Sequence, residues 1–386
     1  MNCQEKDNNI ERVMKHLNEE GLDGMGNALQ ILINTAMQIE RQNYLGASSY
    51  ERTEDRLGYA NGFKPKTVKT RVGALNFRVP QVRDSSFYPS SLDKGIRSER
   101  ALRVAIAEMY FQGVSTRKVS FVMEELCGLE ITSTQVSRAA ASLDQEFELW
   151  RNRSLGRYPY VFFDARYESI RHGGCVIKCA VLTAIGITPE GHREVLGVSI
   201  ALSEAEVHWC NFFKSLQARG LHGIELIISD DHAGLKAARQ AFFPSTPWQR
   251  CQFHLQQNAQ AYVPKKDLKK KVAASIRNIF NAPNRQEAER LLNISIEAYK
   301  KEAPLLSEWM YQNLTEGFTI FDFPQNHQKY VRTSNISERL NKEIKRRTRV
   351  ATIFPNVDSC LRLVTAVVLE ISEEWTMSKA YLSRKE

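Results

Sequence analysis

The 386-residue sequence predicts an α/β fold: a mixed β-sheet with helices on both faces, interrupted by an all-α insertion and preceded by a helical region. Three observations carry this. Between residues 160 and 254 strand-like and helix-like runs follow the order βββαβα and then β. From 259 to about 315 the periodicity is helical throughout, and before residue 150 three short helical patterns are separated by sharp turns.

Composition sets the limits. A hydrophobic content of 42% beside 25% charged residues describes a chain that folds, and its length suggests two or three domains. The net charge of +9 makes nucleic acid or an anionic membrane surface the leading partner class. No apolar run approaches the roughly 18–20 residues of a bilayer span, and "MNCQEKDNNIERV" lacks the apolar core of a signal peptide. Membranes therefore drop out, and a cytoplasmic location is expected. The seven cysteines have no framework-like spacing, which fits reduced thiols better than disulfides.

Residues 1–50 form the first expected region, a helical arm in which Ile10, Val13, Met14, Leu17, Leu29 and Leu32 recur at helical spacing around Gly21 and Gly24. It reads as a packing or dimerising element. Residues 51–98 differ: "RLGYANGFKPKTVKTRVGALNFRVPQVR" contains Arg56, Lys64, Lys66, Lys69, Arg71, Arg78 and Arg83 and no acid. Asn61-Gly62 and Pro65 mark turns, and "KTVKTRVGALNFRVP" alternates like exposed strands. Cations among Tyr59, Phe63 and Phe77 suit contact with DNA phosphates.

Residues 99–152 carry the helical patterns "ALRVAIAEMYFQG", "STRKVSFVMEELCG" and "TSTQVSRAAASLDQEFELW". Ser115 and Ser133 are candidate N-caps, with Gly113 and Gly128 as stops. Val136, Ala140, Leu143, Phe147 and Trp150 share one face of the last helix, leaving Thr134, Gln135, Ser137 and Arg138 exposed near its start. This is a helix-turn-helix layout, which presents the first turns of its recognition helix to base edges.

A catalytic domain is expected over 153–258 and again over 330–386, split by a helical insertion at 259–329. "YVFFDARYESIR", "CVIKCAVLTAIGI" and "REVLGVSIAL" read as an antiparallel meander, "IELIISD" as a buried strand, and "WQRCQFHL" as a last strand. Asp164 follows an apolar run on the first strand and Asp230 ends the fourth. Fourth strands of such sheets commonly lie beside the first, so the two acids would converge, and converging carboxylates repel unless protonated or bridged by cations.

Neighbouring strand residues point opposite ways, which favours Asp230 over Asp231 for the site and leaves Asp231 as a candidate helix cap. A third acid is expected from the helix in "SNISERLNKEIKRR". Glu338 shares a face there with Asn341 or Lys342, Lys345 and Arg349, whereas Glu343 lies about 140° around the axis. Three carboxylates suit a pair of Mg²⁺ ions, or Mn²⁺, about 3.5–4 Å apart for phosphodiester chemistry. Lys342, Lys345, Arg346 and Arg349 would grip the DNA backbone beside them.

With these motifs assembled, the chain resembles the bacterial Mutator-type insertion-sequence transposases. "GYANGFKPKTVKTRVGALNFRVPQVRDSSFYPS", "YFQGVSTRKV", "ISDDHAGLKAARQAFFPSTPWQRCQFH", "TSNISERLNKEIKRRT" and "IFPN" carry the likeness over most of the chain. The resemblance implies a ribonuclease-H-like catalytic fold and an Asp-Asp-Glu triad falling on Asp164, Asp230 and Glu338. It further implies double-stranded DNA partners (terminal inverted repeats and target DNA), cleavage by water followed by 3′-OH strand transfer, and at least a homodimer. The family's C-x-x-H pair falls on Cys251 and His254, read as a core feature of the fifth strand, and its Asp-x-His histidine on His232. All three are candidates to support the active site. A nuclease or resolvase on the same fold, or a non-catalytic regulator descended from a transposase, are the alternatives.

Overall fold

A computed structural model describes the chain apart from residues 1–2, 49–50, 52–53, 55, 84–85, 93, 96 and 383–386. It divides into two compact units, residues 1–142 and 143–386. No helix among the described residues is long and apolar enough to cross a membrane.

In the first unit α1 (Cys3–Glu20) and α2 (Met25–Leu45) are joined by a turn of 3₁₀ helix, and α2 packs on a hairpin of β1 (Ala60–Thr70) and β2 (Gly73–Val82). The hairpin is amphipathic, not exposed on both faces: Val68, Leu75, Phe77 and Val79 are buried with Met37 of α2. Asn61-Gly62 and Pro65 do not make the turn. They lie within β1, where Gly62 at φ +67° sits in a register irregularity between Ala60 and Phe63, and Pro65 pairs with Arg78. A bulge uses a left-handed glycine as readily as a turn does. Three helices complete the unit: α3 (Arg100–Phe111), α4 (Thr116–Cys127) and α5 (Ser133–Ala141). Leu102, Ile106, Val119, Met123 and Val136 form their shared core. Ser115 caps α4 by accepting from the Lys118 N–H, but α5 is capped by Thr132 in place of Ser133. The third helical pattern is also broken, because α5 ends at Ala141 and α6 (Asp144–Arg151) begins the second unit.

The second unit is built on β3 (Tyr160–His172), β4 (Cys175–Ile187) and β5 (Arg193–Ala201), followed by α7 (Glu206–Ala218), β6 (Leu226–Ser229), α8 (Ala233–Phe242) and β7 (Trp248–Arg250). The strands lie in the order β5-β4-β3-β6-β7. The first three are antiparallel, whereas β6 and β7 run parallel to β3. The apolar runs are explained by burial: one face holds Val161, Phe163, Leu182 and Leu196 against Trp209, Phe213 and Leu216 of α7. The last strand stops after three residues, and "CQFHL" opens a helix, α9 (Gln252–Ala259).

Helices α10 (Lys266–Phe280), α11 (Arg285–Tyr299) and α12 (Pro304–Asn313) form a separate core around Val272, Ile276, Leu292, Leu306 and Met310. Trp309 belongs to it, stacked on Tyr262 at 5.6 Å. This layer is keyed to the sheet edge by polar contacts. Gln249 and Gln252 each donate to the Gly317 carbonyl, at 3.0 and 2.9 Å, and the Ile320 N–H donates to Gln249. Chain direction then returns through α13 (Gln325–Val331) and α14 (Asn335–Thr348) to α15 (Val357–Met377), which packs on β5 and α14.

Candidate active site

Strand register brings the first groups together. Phe162 pairs with Ile228, and Ser229 with Arg250. Carrying each register on by one or two residues sets Asp164, within β3, level with Asp230 and Cys251, which stand just past the carboxyl ends of β6 and β7. The direction of the sheet reverses there, the usual place for a ligand site in an α/β sheet.

Helix α14 crosses this end, and alternate residues of β3 grip it. Asn341 donates through Nδ2 to Asp164 Oδ2 at 2.8 Å. Arg166 donates to the Asn341 carbonyl and pairs with Glu168 at 2.7 Å, and Glu168 accepts from Thr348 Oγ1 at 2.9 Å. Residues 164, 166 and 168 thus share one face, as period two requires, and fix the helix that carries Glu338. Glu343 is turned to Arg346 instead, at 2.9 Å.

At the helix start, Ser334 occupies the N-cap position without capping. Its N–H and hydroxyl both donate to Cys251 Sγ at 3.2 Å, and its Oγ lies 3.4 Å from His254 Nδ1. Cys251 is therefore a buried core residue, as expected, but it stands just past the fifth strand and not in it. It is buried at the N-cap of α9 and places His254 one turn further on. His254 Nδ1 pairs with Asp230 Oδ1, and Nε2 lies 3.7 Å from Glu338 Oε1.

The electrostatics follow from this packing. Burial, then the charge on Asp230, push the Asp164 carboxyl up to about 7, and Glu204 adds to the effect. His254 is pushed up to about 10, chiefly by its bond to Asp230 and then by Cys251, so its imidazolium is the bridging cation between Asp230 and Glu338. Oε1 of Glu338 and Oδ1 of Asn341 are shielded from solvent and accept no hydrogen bond, while the shielded Oδ1 of Asp230 meets His254 Nδ1. Shielded carboxylate oxygens without donors are costly unless a cation meets them, and oxygen donors suit a hard divalent ion. The residues present fit such an ion, which Asp164, Asp230 and Glu338 would hold. The three carboxylates are nevertheless not one ligand cluster here: among the described residues, the group whose ligand atoms lie within 4.8 Å of one another is Asp230, Cys251 and His254.

Asp231 points away and caps nothing. His232 holds the N-cap position of α8, with Nδ1 3.6 Å from Glu204. Asp231 instead contacts Lys236 and Arg250, each at 3.0 Å, and the same two cations contact Glu316 at 2.9 and 2.8 Å. The Arg250 side chain is 3% exposed. Glu204 reaches the site because Gly234 lets its loop approach: the Glu204 carbonyl lies 2.2 Å from where a Cβ would stand.

The cations divide into engaged and open. Lys66 donates to Tyr88 at 2.7 Å, Lys69 to the Glu130 carbonyl at 2.7 Å, Arg71 pairs with Glu99, and Arg56 donates to the Gly58 and Glu51 carbonyls at 2.8 Å. Lys64, Arg78 and Arg83 are exposed, Arg78 with its guanidinium 4.8 Å from the Phe63 ring. On α5, Thr134 and Arg138 are exposed, while Gln135 closes a capping box with Thr132. Lys342, Lys345 and Arg349 are exposed on α14. Arg166, Glu168, Glu204, Arg250 and Glu316 were not singled out in the sequence. The alternation in "DARYE" signals Arg166 and Glu168, but nothing local signals Glu316.

The Mutator family of transposases supplies the model that matches this chain, over residues 1–378. The transposase for insertion sequence element IS406 of Burkholderia multivorans is 57% identical over 378 residues, 97% of each chain. That for ISRM5 of Rhizobium meliloti is 39% identical over 362 residues, 94% of this chain and 91% of the relative. That for IS256 in transposon Tn4001 of Staphylococcus aureus is 37% identical over 368 residues, 93% and 92%.

Proposed function

Because the chain belongs to the Mutator family of transposases, we propose that it cuts and joins DNA at the ends of its own insertion sequence, with Asp164, Asp230 and Glu338 as the catalytic carboxylates. The observation that carries this is the convergence of shielded oxygens on Asp230 and Glu338, which share one imidazolium, beside an Asp164 that burial and the charge on Asp230 hold far above an ordinary carboxylate.

Two Mg²⁺ ions, or Mn²⁺, held by these three residues would activate the attacking oxygen and stabilise the leaving one. The chain's own groups do the rest. Asn341 and the Ala165 N–H hold the two oxygens of Asp164, at 2.8 Å each, so that its carboxylate keeps one orientation. Arg166 and Glu168 keep α14, and with it Glu338, against β3. His254 keeps a proton between Asp230 and Glu338, which neutralises part of their repulsion until a divalent ion does so. Lys342, Lys345 and Arg349 contact phosphates beside the scissile bond, and Arg346 joins them when it leaves Glu343. Water opens the phosphodiester at the element's end, and the freed 3′-OH attacks target DNA at the same carboxylates.

The second unit is read as a ribonuclease-H-like domain split by its helical insertion. Helices α3, α4 and α5 are read as a helix-turn-helix that meets the terminal repeats, with Thr134 and Arg138 toward bases and Lys64, Arg78 and Arg83 on phosphates. The reaction takes place in the cytoplasm and needs at least a homodimer, because two ends must be held together. The test is incubation of the protein with duplexes carrying the ends that flank its gene and with target DNA. Mg²⁺-dependent nicks and joined products are expected. Nicks without joining would make it a nuclease, and binding without cleavage a regulator.

A further inference from the structure

Cys251 has no part in holding Mg²⁺, since a thiol is a poor ligand for a hard cation. Yet its sulfur is in the one three-residue ligand group among the described residues, with Asp230 and His254. A sulfur, an imidazole nitrogen and a carboxylate oxygen are the donors of a zinc site, which takes them tetrahedrally at about 2.3, 2.0–2.1 and 2.0–2.2 Å. Ligands at those lengths stand roughly 3.4–3.8 Å apart, and these atoms already lie within 4.8 Å of one another.

Two further observations point the same way. Zinc-bound histidines commonly turn their second nitrogen to a carboxylate, and His254 turns Nε2 toward Glu338 Oε1 at 3.7 Å. That oxygen is shielded and accepts no hydrogen bond. On the sulfur side, the N–H and hydroxyl of Ser334 both donate to Sγ at 3.2 Å, an arrangement that supports a thiolate. Asp230 is 41% exposed, which leaves an entry path and a fourth position for water.

We propose that Asp230, Cys251 and His254 form a binding site for a thiophilic divalent cation of the Zn²⁺ class. The ion takes the place of the Nδ1 proton, and that proton and the thiol proton go to solvent. Because Asp230 cannot then serve Mg²⁺, the bound ion silences DNA cleavage. This last step rests on the function proposed above, whereas the site itself does not.

The test is a Co²⁺ titration of the full-length, metal-free protein by absorption spectroscopy. One equivalent should produce a thiolate-to-cobalt band in the near ultraviolet and the intense visible bands of tetrahedral cobalt, both bleached by Zn²⁺. Cys251→Ser should abolish the near-ultraviolet band, and Glu338→Gln should weaken Co²⁺ affinity about 10–100-fold. Asp230→Asn, which keeps the sulfur, should weaken it at least as much and serves if Cys251→Ser fails to fold. Absence of the sulfur band in wild type overturns the site. So does its persistence in Cys251→Ser, since Cys127, Cys175, Cys179, Cys210 and Cys360 are also free thiols, and so does unchanged affinity in Asp230→Asn. Inhibition of cleavage should follow the same Zn²⁺ affinity. If no cleavage occurs with any metal, the function is wrong while the spectroscopic result still decides the site.

Discussion

Asp230 and Asp231 are adjacent in the chain, yet one sits among too few positive charges and the other among enough. Asp231 touches Lys236 and Arg250, and Glu316 completes a square in which two acids face two bases at 2.8 to 3.0 Å. Asp230 has His254 as its counter-charge, and shares it with Glu338 while repelling Asp164. The difference arises in the connection between β6 and α8, where the two side chains diverge, Asp230 to His254 and Asp231 to Lys236 and Arg250. On the function proposed above, the contrast separates a structural acid, neutralised by two fixed cations, from a catalytic one that shares a single imidazolium with Glu338.

The largest test of this contrast is on chemistry. Asp230→Asn and Glu338→Gln should each lower cleavage on the order of 10³-fold, about 4 kcal/mol of barrier, in assays on terminal DNA. Next comes the square. Arg250→Met leaves Asp231 and Glu316 with Lys236 alone between them, and should destabilise the protein by about 3 kcal/mol in denaturant unfolding.

A third test uses pH. In metal-free protein Asp164 keeps its proton up to about 7, whereas the unfolded chain loses it near the ordinary value of 3.8. The stability tied to this group is full below about 4 and is lost as pH rises to 7. Asp164→Asn removes that loss, so its unfolding free energy, read from denaturant curves, should gain on the wild type's across this window by roughly 2–4 kcal/mol, at about 1.4 kcal/mol per unit. His254 behaves likewise at higher pH: its contribution is present below about 6.5 and lost as pH rises through about 10. The smallest effect should be Asp231→Asn, which costs about 1–2 kcal/mol and leaves cleavage within a few-fold of wild type.

Much of this site was legible before the structure. Apolar runs ending at Asp164 and Asp230 located two acids, and the strand order made them neighbours; helical spacing put Glu338 and Asn341 on one face. What escaped was set by contacts distant in sequence. Arg250 and Glu316 are brought together by the docking of the helical layer on β7, and no local pattern encodes that. "WQRCQFHL" has the apolar spacing of a strand, but the pairing stops at Arg250 and Cys251 starts a helix, which moves His254 into the site. Asn61-Gly62 looks like a hairpin turn because a β-bulge asks for the same left-handed glycine.

The most direct measurement compares the two neighbours: Mn²⁺-dependent cleavage of terminal DNA by Asp230→Asn and Asp231→Asn, each with its unfolding midpoint. Cleavage lost with Asp230→Asn in a protein that still unfolds cooperatively, and kept with Asp231→Asn at reduced stability, is the expected result. Cleavage that survives Asp230→Asn, or is lost with Asp231→Asn in a protein as stable as wild type, would contradict the assignment of these two acids.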